Sequence, residues 1–207
     1  DNPQIIFENN IIYFNNNDGV LYALNESSGR LIWYFDWFNE ASTSINVHIP
    51  VIIKDKVLLS SWNEIIALDK LTGKLIWNIS SKSAHTHISN QPESNELLGI
   101  VNGDLLILDI ETGTTIKKIT DNNFFHEYKL HKDKIFAITL KTWNTEGGDR
   151  LEETEIYSYN SNSYELEWSQ KFKTTPSLST LGNSISFDDN ELYFNSDEGL
   201  YIIDKKT

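Results

Sequence analysis

The stretch Glu64 to Trp77, EIIALDKLTGKLIW, leaves few ways to fold. Glu64 to Leu68 and Lys74 to Trp77 carry the branched and aromatic residues of two strands, and Asp69 to Gly73 separates them. An aspartate there can accept backbone N–H groups two residues on, and Gly73 supplies a positive φ without steric cost, so the segment predicts a β-hairpin.

Copies of this hairpin recur, each with an Asp or Asn eight residues before an aromatic position. GVLYALNESSGRLIW places Asn25, Gly29 and Trp33; GDLLILDIETGTTIK keeps Asp109 and Gly113 but has Lys117 in place of Trp. EIYSYNSNSYELEW keeps Asn160 and Trp168 but has Tyr164 at the Gly position, and EGLYIIDKKT reaches Asp204. The anchors at 25, 69, 109, 160 and 204 stand 44, 40, 51 and 44 residues apart. A unit of short strands repeated about every 40 to 50 residues predicts the blades of a β-propeller. Runs such as IIYF and LLIL are apolar throughout, as strands covered on both faces are.

The motifs Tyr22-Ala23-Leu24-Asn25 with Gly29 and Trp33, and Ala67-Leu68-Asp69 with Thr72, Gly73 and Trp77, resemble the pyrroloquinoline-quinone-like (quinoprotein-type) β-propeller repeat. The resemblance implies an all-β propeller of five repeats over residues 1–207, a single domain, with four-stranded blades and a last blade lacking its outer strand. It implies that Trp33, Trp77 and Trp168 pack across to a neighbouring blade. A closed five-bladed ring would cover the apolar run Leu200 to Ile203; the other reading is a fragment of a larger quinoprotein-like propeller, since the family more often has seven or eight blades. Family enzymes bring a vicinal disulfide and a calcium site to the quinone. This chain has no cysteine and no matching calcium ligands, so no cofactor is expected. Resemblance extends to the outer-membrane-assembly lipoprotein propeller, whose lipidated N-terminal Cys and greater blade number are not seen here.

Thirty acidic against 17 basic residues, a formal charge of −13, repel phosphate backbones and anionic lipid, so nucleic acid is not the expected partner. No apolar run is long enough for a transmembrane helix. With no Met and no retained leader, periplasmic or secreted placement after leader removal is favoured over the cytoplasm. A monomer is expected.

In a blade ordered from inside to outside, the connections between blades and those between the second and third strands share one rim. Trp37, Phe38, Trp62, Phe124, Phe125 and Trp143, with Glu146, Asp149, Glu152 and Glu153, fall in those connections. The connection Lys141 to Thr154 of the fourth repeat is longer than its counterparts. These residues predict a binding module that presents an acidic, aromatic rim to a basic protein partner, with no catalytic residue; an immunity protein neutralising a basic bacterial toxin is one concrete version. The alternative is an enzyme or a small-ligand or metal-binding propeller. Aligning Lys54-Asp55-Lys56 on Lys132-Asp133-Lys134 sets His48 opposite His126, with His87 one residue from the equivalent place, a trio suited to zinc or proton transfer. No nucleophile elbow, zinc-protease helix or P-loop is present.

Overall fold

The structure is a computed structural model that describes residues 4–15, 19–37, 50–61, 64–80, 87–90, 95–121, 124–144, 150–174, 185–188, 191–196 and 199–204. The chain forms two compact units, Asp1–Thr120 and Asp121–Thr207. The first holds three antiparallel sheets in sequence order: β1 (Gln4–Glu8) to β4 (Leu31–Asp36) through β2 (Ile11–Asn15) and β3 (Val20–Asn25); β5 (Val51–Ile53), β6 (Lys56–Ser60), β7 (Glu64–Asp69) and β8 (Leu75–Ser80); and β9 (His87–Asn90), β10 (Glu96–Val101), β11 (Asp104–Asp109) and β12 (Thr115–Ile119). The second unit holds β13 (Phe125–His131), β14 (Lys134–Asn144), β15 (Arg150–Asn160) and β16 (Leu166–Thr174), then a three-stranded sheet of β17 (Ile185–Phe187), β18 (Glu191–Ser196) and β19 (Gly199–Asp204). Among the described residues there are five blades, the last with three strands, in agreement with the sequence reading.

One turn links the third and fourth strands of the first four blades. The Asn25 side-chain carbonyl accepts from the Ser28 amide at 3.0 Å, Asp69 from Thr72 at 2.7 Å, Asp109 from Thr112 at 2.8 Å and Asn160 from Ser163 at 3.0 Å. The residue four places on then closes the turn at positive φ: Gly29 at 66°, Gly73 and Gly113 at 70°, and Tyr164 at 58°. A bulge follows, between Ala23 and Leu24, Ala67 and Leu68, Ile107 and Leu108, and Ser158 and Tyr159. It leaves small Ala23 and Ala67 opposite Trp33 and Trp77, so each indole can lean out of its own sheet.

Each indole leans onto the next blade. Trp33 Nε1 donates to the Lys70 carbonyl at 2.9 Å, and Trp77 Nε1 to the Ile110 carbonyl at 3.0 Å. The rings lie so close over Gly73 and Gly113 that a Cβ there would stand 2.6 Å from Trp33 and 2.7 Å from Trp77. The core is accordingly interleaved between blades: Tyr13, Ala23 and Trp33 pack with Val57, Leu59, Ile66 and Leu68, and Leu58, Ile65 and Trp77 with Leu97 and Leu108. In the second unit Phe136, Ile138, Ile156 and Phe172 pack with Leu192 and Phe194. Tyr201 and Ile203 join that cluster, whereas Leu200 and Ile202 are exposed, so only alternate residues of the run Leu200 to Ile203 are covered.

The turn carboxylates are expected to add to the acid sensitivity of the fold. The Thr72 hydroxyl, and then the Thr72 and Leu71 amides, hold the Asp69 carboxyl below its usual range, and Thr112 does the same for Asp109. A carboxyl lowered in the folded state adds stability above the unfolded value of about 3.9, and this is lost as the pH falls through and below it. Asp69→Asn with Asp109→Asn, which copies the natural Asn25 turn, is expected to keep the turns and flatten the acid side of a Tm-against-pH curve. An unaltered acid limb would assign that sensitivity to other carboxylates.

Candidate functional site

The strands of the fourth blade are longer than those of its neighbours, and they define the candidate surface. Phe125 pairs with Thr139, and beyond that point Leu140 to Asn144 has no partner on β13. It pairs instead with β15, Leu140 with Thr154, Lys141 with Glu153, Thr142 with Glu152, Trp143 with Leu151 and Asn144 with Arg150. The long connection expected between Lys141 and Thr154 is therefore a continuation of the hairpin, with residues 145–149 outside the described set. Pairing of β-branched, aromatic and opposite-charge residues across the two strands accounts for this. At about 3.3 Å per residue, those five positions carry the ribbon roughly 16 Å past the first pair of β13.

Charge on the ribbon is organised by β16. Lys171 Nζ lies 3.1 Å from Glu153 and 3.4 Å from Glu155, and Glu155 also accepts from the Ser169 hydroxyl at 2.8 Å. Hydrogen bonding to Glu153 and the two carboxylates' charge push the Lys171 ammonium up, so it stays charged. Below this ladder the Tyr157 hydroxyl donates to Asp121 at 2.9 Å. Burial, then that carboxylate, push the Tyr157 hydroxyl far above its ordinary range, and burial followed by the charges of Asp121 and Glu155 takes Tyr159 up to about 12. Both phenols therefore keep their protons near neutrality. Burial also pushes the Glu127 carboxyl up, against the charge of Lys129 at 3.7 Å.

The sequence-derived rim residues divide into three groups. Phe124 and Trp143 are exposed, 66% and 38%, and belong to the same end of the fourth blade, at the start of β13 and the end of β14. Glu153 lies at that end too, paired with Lys171. Trp37 and Phe125 are each 1% exposed and are corrected from rim to core. The Trp37 amide donates to the Gly19 carbonyl at 3.0 Å, which carries the pairing of the first blade one residue past Asp36 and sets the indole in the core cluster. Phe125 lies edge-on to Tyr157 and Tyr159, with ring centroids at 5.5 and 6.5 Å. Phe38, Trp62, Glu146 and Asp149 lie outside the described residues, and Glu152 is placed by backbone register alone.

Of the three histidines, His48 lies outside the described residues, His87 is placed only by the backbone of β9, and His126 is half-buried on β13. Among the described residues no group of three or more His, Asp or Glu converges as a metal would require. No helix among them is long and apolar enough to cross a membrane. Glu155, Lys171, Asp121 and Tyr157 were missed by the sequence reading. The signal for the first two was present in the charges two apart, Glu153 and Glu155 on one strand and Lys171 and Lys173 on the next, but it becomes legible only once the register is known.

Comparison with known proteins fixes the family. A family model described as outer membrane protein assembly factor BamB matches residues 3–207. None of the curated proteins matches the chain. Among solved structures, the computationally designed Ika8 protein is similar with a TM-score of 0.64 at 14% identity, over 97% of this chain and 57% of that one. The Neurospora crassa Pan2 WD40 domain gives 0.60 at 14%, over 99% and 61%, and BamB from Moraxella catarrhalis 0.56 at 13%, over 99% and 70%. The chain thus spans a little over half to about two thirds of the propellers it resembles. With the repeated turn, the indoles docked from blade to blade and a family model that runs from residue 3 to the last residue, the protein belongs to the BamB-like family of PQQ-type propeller-repeat proteins.

Proposed function

We propose that the protein is a non-catalytic binding propeller whose partner is a basic protein, held at the end of the fourth blade. The observation that carries this reading is the β14–β15 ribbon, which projects beyond the blade with Trp143 exposed beside charged residues. Extra chain on a rigid scaffold is where binding tends to reside, and an exposed aromatic amid polar groups is the pattern of an interface anchor. The formal charge of −13 supports a basic partner, of which a basic toxin would be one instance, by speeding encounter between opposite charges.

Photo-crosslinking from position 143 in the source cells is expected to capture a basic protein. Replacing 142–152 by Asn-Gly, the turn that Asn102 and Gly103 already make between β10 and β11, should close the hairpin at the Lys141–Glu153 pair. That variant is expected to melt close to the parent and to bind the captured protein at least about tenfold more weakly, a loss of ~1.4 kcal/mol. Association with the parent should slow as salt is raised. Undiminished binding by the shortened chain, or capture only from the opposite end of the fourth blade at the exposed Asn162, would refute the assignment.

A further inference from the structure

Polar groups close one end of the layer between the first and second blades. Trp33 meets the Asp69–Gly73 turn, so the two sheets lie with their turn ends together. Away from that end the facing rows run Ala23–Trp33, Leu21–Phe35 and Gly19–Trp37 on the first blade, and Val57–Leu68, Leu59–Ile66 and Ser61–Glu64 on the second. The first two rows of each are apolar and belong to one core cluster, whereas the third brings an indole and a carboxylate to the same end. Trp37 and Glu64 are 1% and 2% exposed, and neither Trp37 Nε1 nor Glu64 Oε2 has a hydrogen-bond partner. Buried polar atoms almost always have one, so a donor and an acceptor left over at one end of a packed layer call for a third group.

The other blades show what an acid at this place takes. Glu64 stands five residues before the turn residue Asp69, as Asp104 does before Asp109 and Glu155 before Asn160. Each of those two meets a lysine of the next strand, Asp104 pairing with Lys118 at 2.5 Å and Glu155 with Lys171 at 3.4 Å. The second blade has Asn78 and Ser80 in the two lysine positions, and Asn78 donates to Oε1 alone, at 2.9 Å. Glu64 is therefore a buried carboxylate without the ammonium that its counterparts have, and such a group is costly unless it is paired. Burial also sets the size of the missing partner. At 1% and 2% exposure neither group lies on a surface that a folded protein could reach, whereas a small molecule can enter through a local opening. We propose that this end of the layer binds a small primary amine that also bears an oxygen, its ammonium donating to Glu64 Oε2 and its oxygen accepting from the Trp37 indole N–H.

Ethanolamine is the probe, followed by NMR through the indole N–H signals of the six tryptophans, with that of Trp37 assigned from Trp37→Phe. The Trp37 signal is expected to shift and to saturate with a Kd of about 1 mM or tighter, and to stay in place when ethane-1,2-diol, which lacks the ammonium, is added instead. Glu64→Gln keeps the shape but not the charge and should weaken binding at least about tenfold. Asn78→Lys copies the pairing of Asp104 with Lys118 and should supply the ammonium from within, so that Tm rises and the Trp37 signal no longer responds to ethanolamine. This second variant decides the matter if Glu64→Gln does not fold. A Trp37 signal that does not saturate, an equal response to the diol, equal affinity in Glu64→Gln or undiminished binding by Asn78→Lys would overturn the proposal. So would a cross-peak between the Trp37 indole N–H and water that persists at high ethanolamine, because it would assign both atoms to a bound water.

Discussion

Trp77→Ala is expected to leave the chain unfolded or close to it at room temperature. Trp77 is 9% exposed, packs with Leu58 and Ile65 on its own blade and Leu97 and Leu108 on the next, and gives its indole N–H to the Ile110 carbonyl. Truncating a buried Trp costs about 3–5 kcal/mol, a large share of the roughly 5–15 kcal/mol that holds an ordinary domain. Here the Ile110 carbonyl also loses its donor. Trp143→Ala is the internal control, since its ring is 38% exposed and should change stability by no more than about 0.5 kcal/mol. Urea or thermal unfolding compares the two, and a Trp77→Ala midpoint equal to that of the control would show that the docked indole does not hold the blades together.

Gly73→Ala should come next in severity, and a comparison with Gly29→Ala separates its two causes. Both glycines sit at positive φ, 70° and 66°, where a Cβ costs about 1–2 kcal/mol. Only at Gly73 would the new methyl stand 2.6 Å from two carbons of the Trp33 ring, forcing the indole or the turn to move at a further cost of about 1–3 kcal/mol. Gly73→Ala is thus expected to lower the urea midpoint distinctly more than Gly29→Ala. Equal losses would mean that the glycine serves only the backbone and that the indole can retreat at no cost.

Much of this was legible in the sequence because the turn chemistry is local. Asn25, Asp69, Asp109 and Asn160 each bond to amides two or three residues away, so the hairpins could be placed from spacing alone, including the copy that carries Tyr164 in place of glycine. The docking of Trp33 and Trp77 was implied by resemblance, whereas the partner that dictates Gly73 and Gly113 lies one blade away and is visible only in the fold. Trp37 and Phe125 were misplaced for the same reason. Both lie at strand ends, and whether a strand-end aromatic faces water or core depends on one more residue of pairing, which propensity does not determine. The ribbon reads as a loop in the sequence because its polar residues alternate across a pairing that the sequence does not display.

The docked indoles give the stack a direction. In the first unit every such contact runs one way, from the fourth strand of a blade to the turn of the blade that follows. A blade is therefore a donor on one side and an acceptor on the other, and its two faces are not interchangeable. Contacts of this heterologous kind cannot be reproduced by a twofold axis, which would set turn against turn and indole against indole. They can be repeated from one blade to the next along the chain, so a blade can be added or removed with the same kind of junction, provided that the order of Trp before Gly is kept. The same asymmetry limits circular permutation: a cut between blades keeps every docked pair, whereas a cut inside a turn such as Asp69–Gly73 removes the acceptor that the preceding indole needs.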